Sequence, residues 1–404
     1  MTLERSSRLF PFPEERVLEH AAFGEGVVPL RLHGLLLPVW EVEVEADITE
    51  GEKFSLLERF LARGLRHGGL HGIDELTAFF ALDRALVAQA VRALTAIGHV
   101  REEGGRLTLT GLGQRSVDDD TRYVLTRQDR RKLYFEALSS VPLQKPHYDQ
   151  ETVSLLSEEE LGRLVGDGKG PRFTPLFVSR SFDPAALDDL NRRRDRARYN
   201  LPVAMDRMRT LDSRLVYLPL YVVSARGRLL AYGQAGAGAA HDGELSDLLT
   251  KAPSVAMTLE NEQIEDEERT LKGIENWLHR HGLPPTAPER EGGTWRISLP
   301  PEAFRDEHKL SLSRIGSYQI VGARFFRLWC GDENHRKRAL LVRLDQRFGA
   351  RWRVDRATAE AIVAQLARQL ALAVPDLSSL RTGAGRMGLA GLESQLARLE
   401  KEPR

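Results

Sequence analysis

The side chains that could do chemistry are numerous, yet they do not assemble into a set. Asp332, Glu333 and His335 in DENHRKR (332–338) are the residue types of a metal or nuclease corner. His335 and Lys337 open a His-x-Lys motif for phosphodiester cleavage, but Val342 stands where its aspartate is needed. The stretch is expected as a solvated loop between two strands, FFRLWC and RALLVRLD. His279 and His281 flank Arg280 at the end of an expected helix, where cations complement the dipole. Cys330 beside Trp329 reads as a buried strand residue, because a reactive thiol needs surroundings that lower its pKa. GQAGAG (233–238) lacks both the Lys-Ser/Thr pair of a phosphate loop and the third glycine of a dinucleotide fingerprint. GDGKG (166–170) lacks the Walker spacing, and no G-x-S-x-G elbow exists. The expectation is a non-enzymatic chain with no catalytic residues, no metal ligands and no cofactor.

What remains is cationic and local. The 404 residues carry 58 basic and 58 acidic side chains, so the whole molecule exerts no net pull on a polyanion. Hydrophobic content of 42% is enough for real cores, and the length suggests several domains. A single cysteine rules out an intramolecular disulfide and fits a reducing, cytoplasmic compartment. The first twenty residues lack the apolar core of a secretory signal, and no apolar run is long enough to span a membrane. Arg192, Arg193, Arg194, Arg196 and Arg198 crowd around Tyr199 near the end of an expected helix (184–200), with Arg207, Arg209 and Arg214 beyond. Such a cluster could neutralise several phosphates, or simply pair with Asp188, Asp189 and Asp195 on a solvated face.

The elements that would position a second cationic surface lie between residues 54 and 117. FSLLERFLARGL, GIDELTAFFALD and RALVAQAVRALTAIGHV read as helices, and REEGGRLTLTGLGQ as a hairpin. Val87, Ala90, Val91, Leu94 and Ile97 share one face of the third helix, Asp83 is placed to cap it, and Gly98 to end it. Gly104-Gly105 supplies the hairpin turn, and Thr110 can cap a closing helix. In these residues the chain resembles the winged helix-turn-helix superfamily, in the style of small bacterial regulators. The resemblance covers about one sixth of the chain and implies a third helix offered to the major groove and a wing that touches phosphate. Carried over by position, it implies Arg84, Gln89 and Arg92 on the helix, with Arg101 and Arg106 at the wing, as nucleic-acid contacts. Gln reads adenine and Arg reads guanine by paired hydrogen bonds. Against this, Ala85, Ala88 and Ala96 also occupy the outer face, Glu102 and Glu103 sit on the wing, and residues 51–117 hold nine basic against seven acidic side chains. Docking of a protein therefore stays open as the alternative use of the module.

Elsewhere the reading is coarser. Residues 25–47 read as strands broken at Gly34 and Pro38, with Val42, Val44 and Ala46 alternating with glutamates. Residues 38–47 are expected to offer an edge for strand addition. Asp118-Asp119-Asp120 reads as a boundary, and Ser157 with Glu160 as a capping box. Residues 215–233 read as a hairpin turning near Arg226-Gly227, with Pro219 at an edge or bulge. One long helix is expected in 254–283, then strands TWRISL, YQIVGARFFRLWC, RALLVRLD and ARWRVD. A helix in 357–374, a glycine-rich turn at 382–389 and a tail helix follow. Trp277, Trp295, Trp329 and Trp352 read as core.

The expected fold is α+β and multi-domain. It comprises an N-terminal β arm (1–50), a winged helix-turn-helix (51–120), a mixed middle domain (121–253), a C-terminal helix-plus-sheet domain (254–380) with antiparallel strands, and a tail helix (381–404). The expected function is a cytoplasmic DNA-binding protein, a bacterial transcriptional regulator whose downstream region senses a ligand or forms a homo-oligomer. The alternative is a docking subunit of a genome-maintenance or antiviral defence complex, reached through the β arm or the winged helix.

Overall fold

The computed structural model describes residues 9–161, 173–178, 180–235, 240–261, 267–304, 310–321, 324–349 and 354–401. The fold is mixed α+β with largely antiparallel sheets. Among the described residues no helix is long and apolar enough to cross a membrane. The chain divides into two compact units. One comprises Met1–Leu37, Ser154–Phe177 and Tyr217–Arg404; the other comprises Pro38–Val153 and Val178–Val216. The division does not follow the linear segments expected above, because two long strands, β1 (Arg31–Glu52) and β6 (Ala204–Ala225), each contribute to both units.

In the second unit, β1 pairs antiparallel with β4 (Arg122–Glu136), and β6 follows on its other side. Val42, Val44, Ala46 and Ile48 point into a core with Leu133, Phe135, Phe182, Leu187, Leu190, Tyr199 and Met205. The opposite, glutamate-bearing face is laced with ion pairs whose arginines reach solvent. Glu41 meets Lys132 at 2.8 Å and Arg214 at 2.8 Å, Glu45 meets Arg209 at 3.1 Å, and Asp47 meets Arg207 at 3.5 Å. Two expectations fall here. Gly34 and Pro38 do not break the strand, which runs unbroken from Arg31 to Glu52. Residues 38–47 offer no edge either, since β1 has a hydrogen-bonded neighbour on each side, so strand addition there is excluded.

The rest of that unit begins with three helices and a hairpin. These are α2 (Leu56–His67), α3 (Ile73–Phe80), α4 (Arg84–Ala96) and the strands β2 (Val100–Glu103) and β3 (Arg106–Leu109), closed by α5 (Gly111–Asp118). Leu61, Leu65, Leu76, Val87, Val91, Leu94, Val100 and Leu107 form their common core. Helix α6 (Ala185–Arg192) is shorter than the expected 184–200; after it a separate 3₁₀ turn spans Arg196–Tyr199.

The first unit begins with α1 (Glu14–Glu19) and a π-helical turn at His20–Gly24. The strand β5 (Phe173–Pro175) pairs parallel with β1, and β7 (Arg228–Tyr232) pairs antiparallel with β6 around the expected turn. Pro219 lies in β6 between the bridge at Tyr217 and the first β7 pair at Tyr221, so it marks a gap in pairing on an inner strand, not an edge. Helices α7 (Gly243–Lys251), α8 (Pro253–Asn261) and α9 (Glu267–Arg280) follow. The long helix expected in 254–283 is thus described as two, with residues 262–266 outside the described set.

A second sheet, in order β10-β11-β9-β8, joins β8 (Glu289–Glu291), β9 (Thr294–Ser298), β10 (Tyr318–Val321) and β11 (Arg324–Trp329). Its β9–β11 pairing is parallel. RALLVRLD is not the expected strand but the body of α10 (Glu333–Gly349). Ala339, Leu340, Leu344 and Phe348 are buried at helical spacing on its inner face. DENHRKR is accordingly no hairpin loop but the start of that helix. The helices α11 (Arg356–Gln369), α12 (Leu377–Arg386) and α13 (Ala390–Lys401) complete the core. The expected glycine-rich turn is mostly helical, and Gly383 serves packing: a Cβ there would come within 2.9 Å of Leu341. Of the tryptophans expected in the core, Trp277 is buried and Trp295 and Trp329 are half-buried. Trp352, most of ARWRVD, all of GDGKG and the glycine-rich end of GQAGAG lie outside the described residues.

Candidate functional site

The three-helix module is held together by short-range caps and by pairs that reach across it. Ser55 and Glu58 form a capping box on α2, with Glu58 N–H donating to Ser55 Oγ at 3.2 Å. Asp83 Oδ1 accepts from the N–H groups of Ala85 at 2.8 Å and Leu86 at 3.2 Å, which fixes the start of α4. The left-handed Gly98, at φ +75°, turns the chain into the hairpin. Gly104 and Gly105 both take positive φ, as the two-residue turn between β2 and β3 requires.

The aspartates expected as a boundary instead bind the module. Asp120 accepts from Arg59 and Arg63, and Asp118 accepts from Arg66 at 3.1 Å. Nothing local signals these pairs, whose partners stand more than fifty residues apart. They occupy the three arginines of α2. Arg84 likewise pairs with Asp74 at 2.7 Å, Arg101 pairs with Glu103 at 3.0 Å, and Arg115 lies over the Tyr123 ring.

Three expected contacts are left outward. Gln89 and Arg92 on α4 and Arg106 at the hairpin are exposed, with no partner among the described residues. They are not covered by the module's own body, which is the condition on which a polyanion-facing role depends. Ala85 and Ala96 are exposed on the same helix, and Glu102 and Glu103 are exposed on the hairpin.

The second arginine cluster divides by role. Arg193 makes a two-point pair with Asp195, both contacts at 2.9 Å, and stacks over the Tyr199 ring while donating to its hydroxyl at 2.8 Å. Arg196 donates to the carbonyls of Pro202 at 2.8 Å and of Asn191, and burial lowers its pKa. These two cations brace the 3₁₀ turn. Arg192 pairs loosely with Asp189 at 3.4 Å. Arg194 and Arg198 are exposed, and Arg194 has no partner among the described residues. The turn thus spends its densest charge internally, and a phosphate surface here would be thinner than the sequence suggests.

Further functional-looking groups escaped sequence reasoning. An apolar run lies open on α2 and α3: Leu56 is 70% exposed, Phe60 47% and Phe79 67%. Phe80 links them, with its ring 6.4 Å from Phe60 and 4.9 Å from Phe79. In the first unit His20, Glu25 and His241 converge. The distance from 25 to 241 along the chain hid that cluster. The aspartate–histidine pair that sequence did single out, Asp332 and His335, is a helix start: Asp332 Oδ1 accepts from His335 N–H at 2.7 Å and faces its Nδ1 at 2.8 Å. His281 stacks on Trp277 at 3.9 Å, and Cys330 is buried, which pushes its thiol pKa up.

Comparison with protein-family models, with curated proteins and with solved structures gives no match for this chain.

Proposed function

We propose that the chain binds duplex DNA through a winged helix-turn-helix, with α4 entering the major groove and the β2–β3 hairpin against phosphate. The observation that carries this reading is the outward set Gln89, Arg92 and Arg106, exposed and unpartnered among the described residues while neighbouring arginines are engaged. Gln89 suits adenine and Arg92 suits guanine, each through two hydrogen bonds. Arg106 supplies a phosphate contact, and Arg194 adds a further cation outside the module. A regulator is the role that joins such a reader to a downstream region far larger than reading requires.

The internal pairing sets a magnitude. With two or three cations free to meet phosphate, log K falls with log salt at a slope of about −2 to −3, shallow for a DNA-binding protein. Fluorescence anisotropy with a labelled random duplex, at salt from about 50 to 200 mM, reads that slope. Replacing Arg106 and Arg194 with Ala should reduce it by about two. Absence of saturable binding by the wild-type chain up to about 0.1 mM at the lowest salt would overturn the reading.

The exposed Leu56–Phe60–Phe79 run favours a second use of the same module, docking of a protein partner. Under that reading, a partner co-purified from the native host is lost in Phe60→Ser/Phe79→Ser, while the anisotropy is unchanged.

A further inference from the structure

Two imidazoles and one carboxylate meet in the first unit. Nε2 of His20 lies 4.0 Å from a carboxylate oxygen of Glu25, and Nδ1 of His241 lies 3.2 Å from the same oxygen. The three ligand-capable atoms all fall within 4.8 Å of one another.

Each side chain is brought there by an identifiable backbone feature. Residues 20–24 wind as one π-helical turn, and Glu25 N–H donates to the His20 carbonyl at 3.0 Å. In an α-helix the neighbours of residue 20 would be 23 and 24; the wider turn substitutes residue 25. Gly24 leaves space for the imidazole, since a Cβ there would come within 3.1 Å of the His20 ring. On the other side, Asp242 N–H donates to the Ala231 carbonyl at 2.8 Å, which holds His241 beside the end of β7. The ring of Tyr232, the last residue of β7, lies 6.3 Å from that of His241.

The buried Tyr232 hydroxyl lies 3.2 Å from Nδ1 of His20. That contact occupies one ring nitrogen and leaves Nε2 to face Glu25. Histidines that bind metals are oriented in this way, through a hydrogen bond at the nitrogen that does not bind. The 4.0 Å gap between Nε2 and the carboxylate is too long for a hydrogen bond. It is near the edge of a tetrahedron around a zinc ion, about 3.4 Å for bonds of about 2.1 Å, and the 3.2 Å contact brackets that edge from below.

We infer that His20 Nε2, His241 Nδ1 and Glu25 form a mononuclear site for a divalent transition ion of the zinc type. Three protein ligands leave a fourth position to water, and a His₂Glu set favours zinc-like ions over magnesium or calcium. The site is independent of the DNA-binding reading, which uses the other unit.

The test uses the full-length chain, stripped with a chelator and free of added histidines. Calorimetric titration with Zn²⁺ should give one ion per chain with Kd in the micromolar range or tighter, and Co²⁺ should give the visible absorption of a four-coordinate site. Glu25→Gln and His241→Asn should each weaken Zn²⁺ binding by about tenfold or more, while leaving the circular dichroism of the metal-free chain unchanged. His335→Ala should bind as the wild type does. Zn²⁺ binding that fails to saturate below about 0.1 mM would overturn the site. So would one-to-one binding undiminished in the Glu25→Gln/His241→Asn double variant. Should Glu25→Gln fail to fold, His241→Asn decides alone.

Discussion

His99 sits fully buried at the junction of α4 and the hairpin. Its Nε2 faces the Tyr123 carbonyl at 2.6 Å and the Ser116 hydroxyl at 3.2 Å, while Nδ1 has no partner among the described residues. Burial lowers its pKa, and the Tyr123 carbonyl only partly offsets this. A folded pKa below the unfolded value means the unfolded chain takes up the proton first as pH falls. The stability from a neutral His99 is therefore complete above about pH 6.5 and lost progressively below it. Urea unfolding at pH 7.5, 6.0 and 5.0 should show a steeper acid decline for the wild type than for His99→Gln. Parallel declines would refute the assignment. At this scale the sequence was partly transparent. The outward placement of Gln89 and Arg92 follows from helical spacing, which needs only the backbone period. The capture of Arg59, Arg63 and Arg66 by Asp118 and Asp120 was opaque, because it depends on which elements the fold brings together.

At the scale of elements, local signals succeeded where caps and turns carried them. Helix α4 begins after Asp83 and yields to Gly98, and α5 begins after Thr110, whose Oγ accepts from Gly113 N–H at 3.1 Å. They failed where an apolar run suits either structure. RALLVRLD is short, branched and apolar enough for a strand, yet it is helical: Leu340, Leu344 and Phe348 enter the core at every fourth residue, and Asp332 caps its start. Glycines misled in α12, where they permit close packing rather than ending the helix. The clasp between α2 and the aspartates gives the element-scale prediction. Asp118→Asn/Asp120→Asn should cost at most about 1 kcal/mol, since these pairs are partly exposed. It should also release three cations, raising affinity for duplex DNA about tenfold at low salt and steepening the salt slope. A slope equal to that of the wild type would place α2 outside any DNA interface.

For the whole molecule, neither compact unit is a continuous piece of chain. Composition and length suggested several domains, and the α+β class was legible from mixed periodicities. Strand partners were not, because pairing β1 with β4 and β6 joins segments that share no local signal. A fragment of residues 38–216 keeps all of the second unit, whereas residues 121–253 separate β4 from β1. The first should unfold cooperatively in urea; the second should show no cooperative transition. A cooperative 121–253 would show that β1 is dispensable to its neighbours. The unbroken course of β1 also bears on how this gene can change over time. From Val42 to Ile48 its side chains alternate between core and ion-pair face, and a single added or deleted codon near Pro38 would swap the two. Descendant sequences should therefore vary in residue type along this stretch while holding its length fixed, and should tolerate indels at Gly104-Gly105 instead.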